Sequence, residues 1–295
     1  MIRTLILLAG WAACAQALAV VITDDRGRTF ERTLAPQRIV SLSPHLAEVA
    51  FAVGAGDRLV GVSAFTDYPE QAAQIPVIAN NGRVDLERLV ALKPDLVLAW
   101  QSGNPARDIE RLERLGFAVF VTEARRLADI PRVLRLVGRA LGGVEHAERA
   151  ARDTEARIAA LERRAPAGQA LPVFVEIWHQ PLITVSGEHL ISDALRLCGG
   201  RNVFSGARLL TLAVSREALL AARPQAVIMS SGAGTQSQQA ARWRDALPSL
   251  PAVKNGALHA VDPALLHRQG PRLLEAAEVL CGKLDLARQA AGTLR

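Results

Sequence analysis

The chain has 295 residues, half of them apolar and 22% charged, which excludes a disordered polymer and a collagen-like fibre. Lys and Arg number 35 against 29 Asp and Glu, a net charge of +6, but only Lys93, Lys254 and Lys283 are lysines and the arginines are scattered among glutamates. Nucleic-acid binding calls for a clustered basic patch with interleaved rings, and with aromatics at 4% no such stripe exists, so no nucleic-acid partner is expected.

Residues 1–19 carry one cation, Arg3, an apolar run over 5–13 and the small residues Ala17 and Ala19. That is the charge, apolar core and cleavage site of a secretory signal peptide. Two alternatives stand beside it: an uncleaved anchor, because apolar residues continue to Ile22, and lipid attachment at Cys14, which Trp11 disfavours. No other segment approaches the roughly 20 apolar residues that span a bilayer, so the mature chain is expected to be exported. Residues 20–34 read as a hairpin turning at Asp25-Arg26-Gly27-Arg28.

The rest is written twice. Residues 84–98 and 214–228 align without a gap, 130 positions apart, with Val, Glu, Leu, Ala, Pro and Val coinciding and Lys93 opposite Arg223. Asp85 and Ser215 are N-caps, Glu87 and Glu217 sit in the first turn, Lys93 and Arg223 close the last turn, and a proline stops each helix. Buried-strand runs follow at 96–99 and 226–229. A weaker echo pairs 45–56 with 189–200. Each half then adds a helix and a short strand, 108–115 with 118–121 and 241–247 with 257–261. Alternating strands and helices predict an α/β fold of two similar lobes with mostly parallel sheets.

Between the lobes, Val144, Ala147, Ala151, Thr154, Ile158 and Leu161 mark one face of a helix about 30 Å long. Glu145–Arg149, Glu148–Arg152 and Asp153–Arg157 are i, i+4 pairs in the favourable order. Pro166, Gly168 and Pro172 break it before a strand at 173–177. The expected division is 1–19 signal peptide, 20–143 N-terminal lobe, 144–165 interlobe helix and 166–295 C-terminal lobe. A rigid strut implies small opening motions.

With Cys14 lost in the leader, Cys198 and Cys281 remain in an oxidising compartment and read as a disulfide. Both fall late on apolar helical patterns, 190–198 and 273–281, that can pack side by side. The alternative is two buried thiols. A bridge closing so long a loop contributes about 4.5 kcal/mol in the chain-entropy description.

Arg38-Ile-Val-Ser-Leu-Ser-Pro-His-Leu-Ala-Glu48, Gly61-Val-Ser63, Thr66-Asp-Tyr-Pro69 and the 86–97 motif resemble the helical-backbone periplasmic binding proteins, which deliver vitamin B12, haem or ferric siderophores to ABC importers. Thr66-Asp-Tyr-Pro69, Ala99-Trp-Gln-Ser-Gly-Asn104, Val214-Ser-Arg-Glu217 and the two cysteines are most similar to the cobalamin-binding branch. The resemblance implies a ligand cleft between lobes joined by one long helix. It also implies that Glu87 and Glu217 dock on arginines of a permease dimer served by ATPase subunits. The plainer reading of both glutamates, first-turn carboxylates steadying their helices, is compatible with docking.

A corrin is a broad apolar disc fringed by amides and needs flat aromatic walls and a few donors. Tyr68, Trp100 and Trp178 are the candidate walls, core packing being the alternative for the tryptophans, while Trp243 is placed in the core. Arg268 is a candidate donor to a phosphate or amide. Some cobalamin relatives carry tryptophan near Asn81 and at Thr211, so part of an aromatic cage is missing here. His45 and His267 are placed in cleft loops, where an imidazole can ligate cobalt or iron; a surface or hydrogen-bonded histidine is the plainer reading. No histidine spacing argues for zinc, and no metal site or catalytic residue is expected. The leading expectation is a monomeric, non-catalytic periplasmic protein carrying cobalamin. Haem with Tyr68 as axial ligand is the first alternative and a ferric siderophore the second. A secreted enzyme ranks last, since no Gly-x-Ser-x-Gly elbow, His-Glu-x-x-His or P-loop occurs.

Overall fold

Short apolar runs bounded by turn residues become the interior strands of two sheets, as strands covered on both faces require. The structure, a computed structural model, describes residues 19–80, 83–164, 166, 168–232 and 234–293; most of the leader, Cys14 included, and Asn81 lie outside the described residues. The hairpin forms as the 25–28 turn predicts, from β1 (Val20–Thr23) and β2 (Thr29–Arg32). Then come β3 (Ile39–Ser41), α1 (Pro44–Ala52), β4 (Leu59–Ser63), β5 (Val77–Asn80), β6 (Arg83–Val84), α2 (Leu86–Leu92), β7 (Leu96–Trp100), α3 (Ala106–Arg114), β8 (Val119–Thr122) and α4 (Asp129–Leu141). Their sheet has the order β6-β5-β4-β3-β7-β8, parallel except for β6.

The helix α5 (Val144–Arg164) spans the predicted strut, burying Ala147, Ala151, Thr154, Ile158 and Leu161. Two details differ. Val144 is exposed, and of the three predicted i, i+4 pairs only Glu148–Arg152 forms among the described residues. Arg157 turns away from Asp153 to reach Glu278, because a long guanidinium at the helix edge finds a carboxylate on the neighbouring helix. Arg135 of α4 binds both Glu148 and Glu155, tying the strut to the N-terminal lobe.

The second half contains β9 (Leu171–Glu176), β10 (Trp178–His179), β11 (Leu182–Val185), α6 (Leu190–Leu197), β12 (Gly200–Asn202), β13 (Thr211–Ala213), α7 (Arg216–Ala222), β14 (Ala226–Ser230), α8 (Gln236–Ala246), α9 (Pro251–Lys254), β15 (Leu258–Val261), α10 (Pro263–Leu266) and α11 (Leu273–Thr293). Pro172, read as a breaker, lies inside β9 instead. The strand keeps its ladder there because the proline carbonyl accepts from the Gln225 N–H. The parallel sheet β12-β9-β14-β15 repeats the first lobe's β4-β3-β7-β8, and β10, β11 and β13 form a small antiparallel sheet beside it.

The repeat extends to the caps. Asp85 and Ser215 each accept from the backbone N–H three residues on, and Lys93 and Arg223 both close their helices at φ 46° before a proline. In each lobe the chain runs to one side of its first strand and returns on the other. The strand order therefore reverses between β3 and β7, and between β9 and β14, and open α/β sheets bind ligands at the carboxyl ends flanking such a reversal.

One apolar core runs from Leu46 and Leu134 through Ala151 and Ile158 to Leu195 and Leu280, so α5 and α11 join the lobes by packing as well as by chain. Cys198 and Cys281 are bridged, 83 residues apart, fastening α6 to α11 as their two apolar patterns predict. The double variant Cys198→Ser, Cys281→Ser is expected to lose about 4 kcal/mol of unfolding free energy in urea titrations. A loss below about 1 kcal/mol would show that the packed helices hold this loop closed without the bond.

Candidate functional site

The carboxyl ends at the two reversals bring together α1, the loop after β4 and the segment entering α11. Ser43 precedes α1 at the end of β3, and Trp100 ends β7. Trp100 is held by its neighbours: its backbone N–H donates to Asn104 Oδ1 at 2.7 Å, and the Asn104 amide nitrogen donates onward to the Leu42 carbonyl. A Cβ on Gly103 would come within 1.8 Å of the indole, so glycine is required there. The indole is only partly exposed and packs against the core, with its edge against His45 at 5.1 Å between ring centres. Of the two readings its sequence leaves open, the packing against the core is the one seen, with part of the ring left exposed.

His45 is not in a loop. It is the second residue of α1 and is 5% exposed. Pro44 starts the helix one residue earlier than a loop reading allows, which turns the imidazole inward against Trp100. Burial, with Arg268 nearby, pushes its pKa down to about 3, so the ring is neutral. His189, its echo in the second lobe, caps α6 by accepting from the Ile191 N–H, and burial beside His267 lowers it to about 4. His267 itself closes α10.

Arg268 is buried and engaged within the protein. Its guanidinium meets Glu48 Oε1 at 2.6 Å and Asp67 Oδ1 at 2.7 Å, and donates to the Phe65 carbonyl at 3.0 Å. As observed, it is an interlobe clamp and not a free donor, because Glu48 lies buried on α1 and needs a cationic partner. Arg272 reaches the same oxygen of Glu48 at 3.4 Å and stacks on Tyr68 at 4.2 Å from the ring centre. Burial pushes the Glu48 carboxyl up against the pull of Arg268 and then Arg272.

Tyr68 is 47% exposed, on a loop braced from below by Thr66, whose hydroxyl donates to the Ser63 carbonyl at 2.7 Å. Phe65 on the same loop is exposed at φ 65°, a strained backbone for an aromatic residue. Trp178 does not end the second lobe's first strand; it opens β10, two residues beyond β9, because it pairs with Ile183 of β11, and it is 58% exposed with its Nε1 donating to the Gln180 carbonyl. The first lobe therefore offers two open rings, Phe65 and Tyr68, and the second offers Trp178. A cavity of about 540 Å³ lined by Glu176, His179, Arg242 and Trp243 adjoins Trp178's strand. Trp243 is buried, as its sequence context predicts, and donates to Glu176 Oε2 at 2.6 Å. A cavity of about 760 Å³ beside Asn80, Arg83 and Arg88 is lined by none of Tyr68, Trp100 and Trp178.

Ser43 Oγ, Glu48 Oε2, Trp100 Nε1, Gln269 Oε1 and Arg272 Nε are buried at this junction without a hydrogen-bond partner among the described residues. They are a mixed set of donors and acceptors. In the sequence Glu48 is marked only as an acidic residue in the apolar run of α1, and nothing local marks Gln269. Glu87 and Glu217 lie apart from the junction, exposed in the first turns of α2 and α7. No group of three or more His, Cys, Asp or Glu among the described residues is arranged to hold a metal ion.

Residues 39–265 match the family model described as periplasmic binding protein. This chain belongs to the periplasmic binding protein family. The vitamin B12-binding protein of Pectobacterium atrosepticum is 38% identical over 84% of this chain and 88% of its own. The crystal structure of the periplasmic vitamin B12 binding protein BtuF of Vibrio cholerae superposes with a TM-score of 0.80 at 33% identity, covering 86% of this chain and 98% of that one. The periplasmic haem-binding protein RhuT from Roseiflexus superposes at 0.73 with 26% identity, over 85% of this chain and 99% of that one. Among the described residues of this periplasmic binding protein no helix is long and apolar enough to cross a membrane.

The buried His45 sets an acid limit. Unfolded, its imidazole takes up a proton below about pH 6.5; folded, it does so only near 3, so protons favour the unfolded state between those values and stability falls as pH falls. The contribution is about 1.4 kcal/mol per pH unit. The loss of stability of the wild type between pH 7 and 5 is expected to exceed that of His45→Gln by about 2 kcal/mol in urea titrations. Equal losses would mean that His45 is protonated in the fold.

Proposed function

We propose that this protein captures cobalamin between its lobes in the periplasm and delivers it to an ABC importer, acting as a monomer and without catalysis. The observation that carries the cargo is the combination of 38% identity to a vitamin B12-binding protein with open rings on both lobes, Tyr68 in the loop after β4 and Trp178 just beyond the carboxyl end of β9. Exposed rings suit the faces of a corrin. Residues 1–19 serve as the export signal, 20–143 and 166–295 as the lobes, and 144–165 as the strut.

Glu87 and Glu217 are the docking carboxylates for the permease dimer. Among the described residues neither is ion-paired, and Glu217, held below the usual carboxylate range by its own backbone N–H and the Ser215 hydroxyl, is ionised throughout the neutral range. A second reading keeps the fold and changes the cargo to haem. The half-exposed Tyr68 and the likeness to a haem-binding protein favour it.

Calorimetric titration of residues 20–295 with cyanocobalamin is expected to give one corrin per chain at submicromolar affinity, with hemin ignored and a loss of about tenfold in Trp178→Ala. Tight hemin binding with a tyrosinate-type spectrum, lost in Tyr68→Ala, would overturn the cargo. Reversing both charges, Glu87→Arg with Glu217→Arg, is expected to abolish uptake in cells while leaving cyanocobalamin affinity intact. Loss of ligand binding in that variant would refute the division between docking and capture.

A further inference from the structure

The two glutamates are not the only features that α2 and α7 present to solvent. Leu89 and Leu219 are buried and anchor the helices, whereas the next residues, Val90 and Leu220, are 55% and 38% exposed. Val90 and Leu220 occupy the same place in the repeat, each three residues after its glutamate and so on the same helical face. Ala91 and Ala221, one residue further, are exposed as well.

The fold accounts for the rest of these helices and not for this face. Asp85 and Ser215 supply the caps, Leu89 and Leu219 the packing, which Leu86 joins in the first copy, and exposed Arg88 stands opposite Ala218. A single exposed valine or leucine is ordinary on a protein surface. An apolar residue, valine in one copy and leucine in the other, beside a carboxylate with no ion pair among the described residues, at the same place on both lobes, is a repeated surface.

Resting on the docking reading above, we infer that each lobe presents a two-part contact, a carboxylate with an apolar shoulder, and that Val90 and Leu220 are the apolar halves. The matching partner surface carries a guanidinium next to apolar side chains. Because the two contacts are copies of one another, the partner that fits both offers the same surface twice, as a dimer of like subunits does. The shoulder has a physical purpose. An exposed ion pair is weak and screened by salt, whereas apolar contacts that exclude water around it strengthen the pair and add their own burial.

The test measures binding of the purified chain to the permease–ATPase complex reconstituted in nanodiscs, at low and high salt, with cyanocobalamin affinity measured alongside. Val90→Ser with Leu220→Ser is expected to weaken binding to the complex roughly 100-fold, about tenfold per site, with the salt dependence and the cyanocobalamin affinity unchanged. Glu87→Gln with Glu217→Gln is expected to weaken binding and flatten the salt dependence. Binding of the serine variant within twofold of wild type, while the glutamine variant loses affinity, would overturn this inference and leave docking through the glutamates standing. Wild-type binding by the glutamine variant would overturn both. A serine variant that loses cyanocobalamin would place these residues in the fold and also overturn the inference.

Discussion

A carboxylate buried on α1 cannot stand unpaired, and Glu48 finds its cations on the other lobe. Arg268, 220 residues away, meets it at 2.6 Å, and Arg272 follows at 3.4 Å. Removing one partner of such a buried pair costs about 3–5 kcal/mol, because the remaining charge is left in a low-dielectric setting. The same guanidinium groups hold the loop that bears Tyr68, through Asp67, the Phe65 carbonyl and the Tyr68 ring itself. The position of Tyr68 on the first lobe is therefore set by the second.

The strut is the other half of this constraint. Its inner face is packed in the core shared by the lobes, and its charged flanks bind Arg135 on one side and Glu278 on the other. A helix so bound transmits rotation as a rigid element and resists bending. Lobe movements are thus confined to small adjustments about a joint with a packed helix on one side and a buried ion cluster on the other.

The parts of the fold legible in the sequence are those written locally. The 3.6-residue period over 144–164, the caps at Asp85 and Ser215, the prolines after Lys93 and Arg223 and the apolar strands each depend on neighbours within a few positions. The repeat multiplied that signal, and the placement of Cys198 and Cys281 late on two apolar helices made their pairing readable. What escaped depends on distance. Nothing near Arg268 announces Glu48, nothing near Arg157 favours Glu278 over Asp153, and the inward turn of His45 follows from where Trp100 and Arg268 sit after folding. Residues at the junction were visible as candidates, but their partners lie across the lobe boundary, where sequence periodicity carries no information.

The bond between Cys198 and Cys281 has a consequence beyond stability. The helix α6, which Cys198 caps, carries Asp193, which accepts from the Leu127 N–H of the first lobe at 2.7 Å, and α11, which carries Cys281, begins one residue after Arg272. The two elements of the second lobe that grip the first are thereby stapled to each other. Oxidation adds a covalent restraint on the spacing of the two grips. A chain kept in a reducing compartment would hold the same grips by packing and ion pairs alone.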